Sequence, residues 1–211
     1  MTTTPALEPI VLEGRDVRLE PLSLAHVEDL SKVAFDEEIW RWTSERALSV
    51  EELRAYVERA LTAARTGSVL PFATIARSAG RAIGSTRFAT FERQNRRVEI
   101  GWTWIGRQWQ RTAINTEAKY LMLTHAFEKL GCVRVELRTD VLNEQSRSAI
   151  RRIGGVEEGV LRKHAITSAG RVRDDVYYSI LEEEWPEVKA RLEKRMDGAG
   201  SSGVRLPRTT G

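Results

Sequence analysis

The sequence predicts an α+β fold in which helices flank a mixed β-sheet of about seven strands. The predicted order is one strand, two helices, three strands, a helix, a strand, a helix, two strands and a helix. This order lacks the regular alternation of a parallel α/β protein. Two strand pairs are separated by short glycine-containing turns, which is typical of hairpins. The pattern has no internal repeat and no second core, so residues 11–196 are predicted to form one domain.

The first half of the chain is predicted from alternation and from turn and capping residues. Ser49 and Glu52 have the spacing of a capping box, which indicates the start of a helix. Gly80 marks the turn of a hairpin. The predicted elements are a flexible arm over 1–10, a strand over 15–21, a helix over 24–35, an irregular stretch over 39–43, a helix over 49–65, and strands over 70–77 and 81–91.

The stretch over 98–130 is predicted to be a strand, a polar turn and a long apolar helix that Gly131 ends. An isolated glycine in the strand, Gly101, indicates a bulge or a close backbone approach. The amides at the start of a buried helix favour an anion, although most helix N-termini bind only water. Alternation places Val98, Ile100, Trp102 and Trp104 on one face of the strand and Glu99, Gly101, Thr103 and Ile105 on the other.

The last part of the chain is predicted to alternate strands and short helices. Asn143 is a candidate N-cap, and Gly154 with Gly155 would end the helix that follows it. Beyond Met196 the chain becomes rich in Gly, Ser and Thr, so residues 197–211 are predicted to be a flexible tail. The predicted elements are a strand over 133–140, a helix over 144–153, a hairpin over 156–166 and 171–181, and a helix over 183–196.

Composition excludes several classes of protein. The net charge is +3 over 211 residues with basic and acidic residues interspersed, which does not indicate nucleic-acid binding. No apolar run approaches membrane-spanning length and the N-terminus lacks a signal pattern, so a cytoplasmic protein is expected, as a monomer or homodimer. A single cysteine, Cys132, allows no internal disulfide and is expected to be a buried thiol. No metal site is predicted.

Two stretches carry a family resemblance, WTWIGRQWQRTAINTEAKYLMLTHAFEKLG and VRVELRTDVLNEQSRSAIRRIGG. Together with the element order and the segment EGVLRKHAITSAGRVRDDVYYSILEEEWPEVKARL, they resemble the GNAT superfamily of N-acetyltransferases. The similarity is greatest to the branch that acetylates the N-termini of ribosomal proteins. The resemblance covers residues 12–195. It implies a mostly antiparallel sheet whose central pair of strands splays apart, with acetyl-CoA in the gap.

The resemblance also implies which residues bind the cofactor. The pantetheine arm would pair with the strand backbone at Trp104 and Ile105, close to Asn143. The family turn reads Q/R-x-x-G-x-G/A, and Arg111 replaces its middle glycine. The arginine could crowd the phosphate or lie along it as a bidentate donor, and the second arrangement is favoured. The pyrophosphate would bind in the turn, whose candidates are Gln108, Gln110, Arg111, Thr112, Ala113, Ile114 and Asn115; Glu117 is expected to point away.

The catalytic residues are candidates by the same resemblance. Ser146 is expected to protonate the leaving thiolate, since Ile150 occupies the position of the family tyrosine. Glu99 and His164 are the two candidate bases, and ordered water is a third possibility. At the position where the related branch carries a glutamate, this sequence has Ala165.

The expected reaction is direct attack of an amine on the thioester of acetyl-CoA. The acceptor could be a protein N-terminus or a small amine, and Asp174, Asp175 and Tyr177 are candidates for its binding. The alternative from another class is a module that binds acyl-CoA as a sensor, without turnover.

Overall fold

The computed structural model describes residues 6–200, which form an eight-stranded open sheet with helices on both faces. The strand order is β1-β2-β3-β4-β5-β6-β8-β7. The strands are β1 (Leu12–Glu13), β2 (Val17–Pro21), β3 (Leu70–Ala76), β4 (Arg81–Glu92), β5 (Arg97–Ile105), β6 (Arg134–Asp140), β7 (Val156–Ile166) and β8 (Val172–Leu181). The helices are α1 (Val27–Ala34), α2 (Glu37–Trp40), α3 (Val50–Ala64), α4 (Ala113–Glu128), α5 (Glu144–Arg152) and α6 (Trp185–Gly200), with single 3₁₀ turns before α1 and α4.

The sheet is mixed and mostly antiparallel, and its central pair of strands separates, as predicted. Strands β5 and β6 run parallel and pair only from Arg97 with Arg134 to Glu99 with Glu136. Every other pair of neighbouring strands is antiparallel. Beyond Glu99 the two strands part, so the edge of β5 that faces β6 is left open as far as Ile105.

A β-bulge in β5 lies one residue beyond the predicted position, Gly101. Arg87 pairs with Gly101 and Ser85 pairs with Trp104, so Thr86 alone faces Trp102 and Thr103. Trp102 adopts a left-handed backbone with φ of 49°, which few non-glycine residues do. The extra residue reverses the faces beyond it.

The predicted alternation of β5 is therefore wrong after the bulge. Ile105 lies in the same core layer as Val98 and Ile100, and Trp104 lies in the opposite layer. One layer packs α4 and α6 on the sheet around Met122 and Leu192. The other packs α1 and α3 on the sheet around Tyr56 and Trp104.

Capping residues fix most of the helix ends where the sequence predicts them. The Ser49 hydroxyl accepts from the Glu52 amide at 3.2 Å, and Gly131 has φ of 64° after α4. Two predictions differ from the structure. The first two residues of the stretch predicted to be irregular, 39–43, belong to α2. Helix α6 continues to Gly200 instead of ending at Met196. The rest of the predicted tail, 201–211, and residues 1–5 of the predicted arm lie outside the described residues.

Candidate active site

A cavity of about 1130 Å³ opens where β5 and β6 separate. Its walls come from β5 and β6, from the turn before α4, from α5, and from the loop between α2 and α3. The cavity therefore reaches both faces of the sheet. One half lies beside α4 and α5, and the other is bordered by aromatic residues of the α1–α3 layer.

The turn before α4 combines an open helix N-terminus with basic side chains. Arg111 is exposed and has φ of 61°, so it holds the left-handed conformation that a glycine would adopt without strain. Thr112 caps α4: its hydroxyl accepts from the Ile114 amide at 3.4 Å and donates to the Trp109 carbonyl at 2.7 Å. The buried Oδ1 of Asn115 has no hydrogen-bond partner within residues 6–200. The arginines that line the cavity from this turn, α5 and α6 are Arg107, Arg111, Arg152 and Arg195.

The end of β5 is joined to the turn and to α5 by amide side chains. Gln110 donates to the Ile105 carbonyl at 3.1 Å and accepts from Gln145 at 3.1 Å. Trp104 and Ile105 both line the cavity, although both side chains are buried. The Trp104 side chain donates to the Tyr56 hydroxyl at 3.2 Å and packs on Trp40.

The start of α5 faces the same cavity. The Asn143 side chain caps the helix by accepting from the Ser146 amide at 3.1 Å. Ser146 is half-buried and lines the cavity, and Ile150 lies one turn further along the wall. The structure thus brings Ser146 and Asn143 together with the turn before α4.

Glu99 lies at the point where the two strands part, and it is paired with an arginine. Arg138 of β6 donates from Nε to the Glu99 carboxylate at 2.9 Å and from a terminal nitrogen to the Tyr177 hydroxyl at 3.2 Å. Both Glu99 and Arg138 line the cavity. The Glu99 carboxylate is therefore engaged by a guanidinium of the neighbouring strand. Sequence reasoning missed the role of Arg138. Alternation along β6 assigns this arginine to one face of the strand, and it does not identify Glu99 as its partner.

His164 lies outside the cavity wall, on β7. Its Nδ1 is 2.8 Å from the carboxylate of Asp175, and its ring packs edge-on against Tyr177. Asp175 is fully buried and also forms an ion pair with Arg173 at 2.7 Å. The arrangement gives His164 a structural partner and does not place it beside Ser146 or β5.

The other half of the cavity is bordered by aromatic rings and guanidinium groups. Trp102 is 38% exposed, and Arg87 and Arg138 lie 5.3 and 5.8 Å from its ring centroid. Trp42 contributes to the same wall, and its carbonyl accepts from Arg173.

Lys119 of α4 is a buried lysine on the cavity wall that sequence reasoning also missed. Its Nζ donates to the Thr103 hydroxyl at 2.6 Å and to the Thr86 hydroxyl at 3.0 Å. Burial lowers the pKa of this lysine to about 7. The signal was available, because position 119 is three residues before Met122 and seven before Ala126, on the buried stripe of the helix.

Three of the remaining residues lie away from the cavity. Gln108 is exposed on the 3₁₀ turn and does not line the cavity. Ile114 is buried in the core and borders a smaller pocket beside Trp109. Glu117 points away from the site, as expected, and its carboxylate accepts from the amides of Arg15, Asp16 and Val17.

Three further observations concern metal ligands, membrane-spanning helices and the cysteine. Across residues 6–200, no three His, Cys, Asp or Glu side chains converge in a way that could hold a metal ion. Over the same residues, no helix combines the length and apolar character needed to cross a membrane. Cys132 is buried and burial raises its pKa to about 11, which is typical of an inert thiol.

Comparisons with known proteins agree with this architecture. Residues 16–156 match the family model described as "Acetyltransferase (GNAT) domain". A stretch of 110 residues is 38% identical to the Bacillus subtilis (strain 168) protein named "Putative ribosomal N-acetyltransferase YdaF", covering 52% of this chain and only 59% of that protein. The crystal structure of a GCN5-related N-acetyltransferase from Brucella melitensis is 31% identical, with a TM-score of 0.85 over 93% of this chain and 89% of that chain.

A more distant structure has the same fold. RimJ of Mycobacterium smegmatis, solved in complex with CoA-disulfide, is 23% identical and has a TM-score of 0.75 over 91% of this chain and 95% of that chain. The family match covers most of the chain, and it includes the parted strands, the turn and the start of α5. The chain belongs to the GNAT acetyltransferase family.

Proposed function

We propose that the protein is an acetyl-CoA-dependent N-acetyltransferase that moves the acetyl group directly to a primary amine. The observation that carries the proposal is the cavity between β5 and β6, which connects an arginine-lined helix N-terminus to a second, aromatic half. An extended phosphate-bearing ligand fits this shape, because its anionic end can bind the turn while its other end reaches the parted strands. RimJ, which shares the fold, was solved with CoA-disulfide.

The residues of the turn fit the phosphates of CoA. The N-terminal amides of α4 offer hydrogen-bond donors, and Arg107, Arg111, Arg152 and Arg195 offer positive charge. Ile105, Gln110 and Asn143 would accompany the pantetheine arm towards Ser146. We infer that Gln108 and Ile114 act through the shape of the turn, because neither lines the cavity.

The reaction requires that an amine enter the aromatic half of the cavity and attack the thioester carbon. As the C–N bond forms and the C–S bond breaks, the amine loses a proton and the sulfur gains one. Backbone amides of β5 beyond Glu99 are free to stabilise the oxyanion, because β6 no longer pairs with them. Ser146 would donate a hydrogen bond to the leaving sulfur.

The acceptor class that we favour is the α-amine of a protein or peptide. YdaF, to which the chain is 38% identical over 110 residues, is named for ribosomal N-acetylation, and the wall of Trp42 and Trp102 offers apolar surface next to the site. A small amine such as a polyamine or an aminoglycoside is the alternative acceptor.

Calorimetry with acetyl-CoA tests the cofactor, and release of free CoA tests turnover. We expect acetyl-CoA to bind. We expect release of CoA with a peptide that has a free N-terminal serine, and no release of CoA with the Nα-acetylated peptide. Spermidine and kanamycin are the comparison acceptors. No heat and no thermal shift at millimolar acetyl-CoA would contradict the proposal. Binding without CoA release from any acceptor would favour the acyl-CoA sensor instead.

Substitution of Ser146 tests its place in the reaction. Ser146→Ala should lower kcat on the order of 100-fold, the lower range for loss of a proton donor, with little change in acetyl-CoA affinity. Ser31→Ala, at an exposed serine of α1 that is bonded to the Glu28 carbonyl, is the matched control. An unchanged kcat in Ser146→Ala would remove Ser146 from the mechanism.

A further inference from the structure

Lys119 is a buried cation without an acidic partner at the point where the cavity meets the bulge of β5. Its exposed fraction is 5%, yet it borders the cavity together with Thr103. The Thr86 and Thr103 hydroxyls are 2.8 Å apart, and Nζ donates to both. These contacts use two of its three hydrogens when the group is charged. When the group is neutral, Nζ has two hydrogens and one lone pair, so it can keep donating to the Thr86 hydroxyl while its lone pair accepts from the Thr103 hydroxyl.

No carboxylate of residues 6–200 forms an ion pair with Lys119, and the charged groups around it are occupied elsewhere. Arg87 lies against Tyr56 on the opposite face of the sheet, and Glu99 is bonded to Arg138. On α4 itself, Glu117 is bonded to backbone amides, and His125 packs beside Phe88. Charged residues of the packed elements β2, β6 and α6 have other partners or line the cavity. Arg18 pairs with Glu20, and Arg134 pairs with Glu136. Lys189 pairs with Glu128, Glu193 accepts from the Tyr120 hydroxyl, and Arg195 lines the cavity.

The environment therefore favours the neutral amine. Desolvation is the cause that lowers the pKa of Lys119 to about 7, and nothing of opposite charge counteracts it. An amine that titrates near neutrality can both accept and return a proton at physiological pH. The Glu99 carboxylate is occupied by its ion pair with Arg138, and His164 lies outside the cavity, so the two bases expected from sequence are poorly placed.

We propose that Lys119 acts as the general base of the reaction, through the hydroxyl of Thr103. This inference rests on the proposed function and names the group that takes the proton of the acceptor amine. The hydroxyl of Thr103, which is exposed to the cavity, receives that proton and passes its own to Nζ across the 2.6 Å contact. The Thr86 hydroxyl is hydrogen-bonded to both Nζ and the Thr103 hydroxyl, so it keeps these two groups next to each other.

The proton balance closes within one turnover. The amine nitrogen forms its bond to the acyl carbon and loses one proton, which leaves Lys119 as an ammonium group. The C–S bond breaks with its electron pair on sulfur, and the thiolate takes one proton. A thiol has an ordinary pKa of about 8.5, so the Lys119 ammonium is acidic enough to return the proton to the thiolate. Lys119 ends the cycle neutral.

The test compares pH–rate profiles of variants with the N-terminal seryl peptide as acceptor. In the wild-type chain, kcat should rise with pH through about 7. Lys119→Met should lower kcat about 100-fold and lose that rise, while the calorimetric Kd for acetyl-CoA changes less than about threefold. Lys119→Arg keeps a charge and donors but cannot lose its proton, so it should be equally slow. Thr103→Ser should keep the profile, and Thr103→Val should lose it.

Lys129→Met, at an exposed lysine one residue beyond the end of α4, is the matched control and should keep the wild-type profile. Melting temperatures show which variants fold. If Lys119→Met binds acetyl-CoA and turns over with the wild-type kcat and the same ascending limb, that limb belongs to the acceptor and the role of Lys119 is overturned. If the wild-type chain binds no acetyl-CoA, the proposed function fails, and the role of Lys119 fails with it.

Discussion

Arg111 holds a backbone conformation that glycine favours, at the place where the site is expected to hold phosphate. Its φ of 61° costs a non-glycine residue roughly 1 kcal/mol or more. The side chain is exposed and lines the cavity. The turn therefore keeps the backbone shape of the family glycine and adds a guanidinium to it.

Two substitutions separate the contributions of the Arg111 backbone and side chain. If the guanidinium binds phosphate, Arg111→Ala and Arg111→Gly should each weaken acetyl-CoA binding by about tenfold, the lower range for a charge-assisted hydrogen bond. Arg111→Gly should melt within a few degrees of the wild type, because relief of strain is offset by greater unfolded-state entropy. Calorimetry and melting curves measure both effects. Tighter binding in both variants would mean that the side chain crowds the phosphate.

Glu99 and Arg138 show why single residues were hard to assign from the sequence. Glu99 was expected as a base from its strand position, but its function depends on Arg138, which is 39 residues away and reaches it across the parallel pair. Residue type and alternation predict a face, and they do not predict the ion pair that occupies the carboxylate. His164 was likewise predictable as a titrating side chain, whereas its contact with Asp175 depends on the β7–β8 register.

At the scale of elements, α4 performs several tasks on different sides. Its first residues line the cavity beside the turn proposed to bind phosphate, Lys119 borders the cavity, and Met122 and Leu123 fill the core. Glu117 fastens the helix to the chain that leads into β2. Its oxygens accept from three consecutive amides at 2.7, 2.7 and 2.9 Å, in a buried position.

Glu117→Gln should destabilise the fold by about 3 kcal/mol. The amide NH₂ of glutamine would face backbone donors, and charge-assisted bonds of roughly 1.5–3 kcal/mol each would be lost or weakened. Urea unfolding measures the change in free energy. Glu58→Gln, on the exposed face of α3, is the control and should change stability by less than about 0.5 kcal/mol. A loss as small as that of the control would show that the contacts with residues 15–17 contribute little.

The bulge in β5 is the element-scale feature that the sequence indicated only in part. Gly101 pointed to an irregular strand, yet the extra residue is accommodated at Trp102 and Thr103, opposite Thr86. In the sequence, the alternation of apolar and other residues continues without a break through the bulge, because Trp102 occupies an apolar position of the pattern. The pattern therefore does not show that an extra residue is present. The consequence is that Trp104 changes layers and Thr103 turns towards Lys119.

At the scale of the whole molecule, the sequence was sufficient for the fold. Alternation, caps and turn glycines are local, and they determined nearly every element. The family resemblance implied the parted strands, which the structure has. The aromatic half of the cavity was less accessible, because it is assembled from the α2–α3 loop, β5 and β8. The α2–α3 loop contacts the turn between β7 and β8, where the Ser168 amide donates to the Thr43 carbonyl at 2.9 Å. Contacts of this kind leave no local pattern in the sequence.

The free energy of unfolding of the whole domain should depend on pH through the titration of Lys119. Its pKa falls from 10.5 to about 7 on folding, so between these pH values the unfolded chain binds a proton that the folded chain does not. The contribution of Lys119 therefore makes the free energy of unfolding of the wild-type chain increase with pH across that window. At and below about pH 7, the full cost of burying the charged group lowers this free energy. Lys119→Met removes the group from both states and should lack this contribution.

The difference in unfolding free energy between Lys119→Met and the wild type isolates this contribution, because all other titrating groups cancel. The advantage of Lys119→Met should be largest near pH 6 and should shrink by roughly 1.4 kcal/mol per pH unit between pH 7 and 9. Urea titrations at pH 6, 7, 8 and 9 measure it, with Lys129→Met as the control whose difference from the wild type should stay flat. A difference for Lys119→Met that is the same at every pH would mean that this lysine keeps its proton on folding. A group that stays protonated could not serve as the base, so the same titrations test the proposed mechanism without an acceptor.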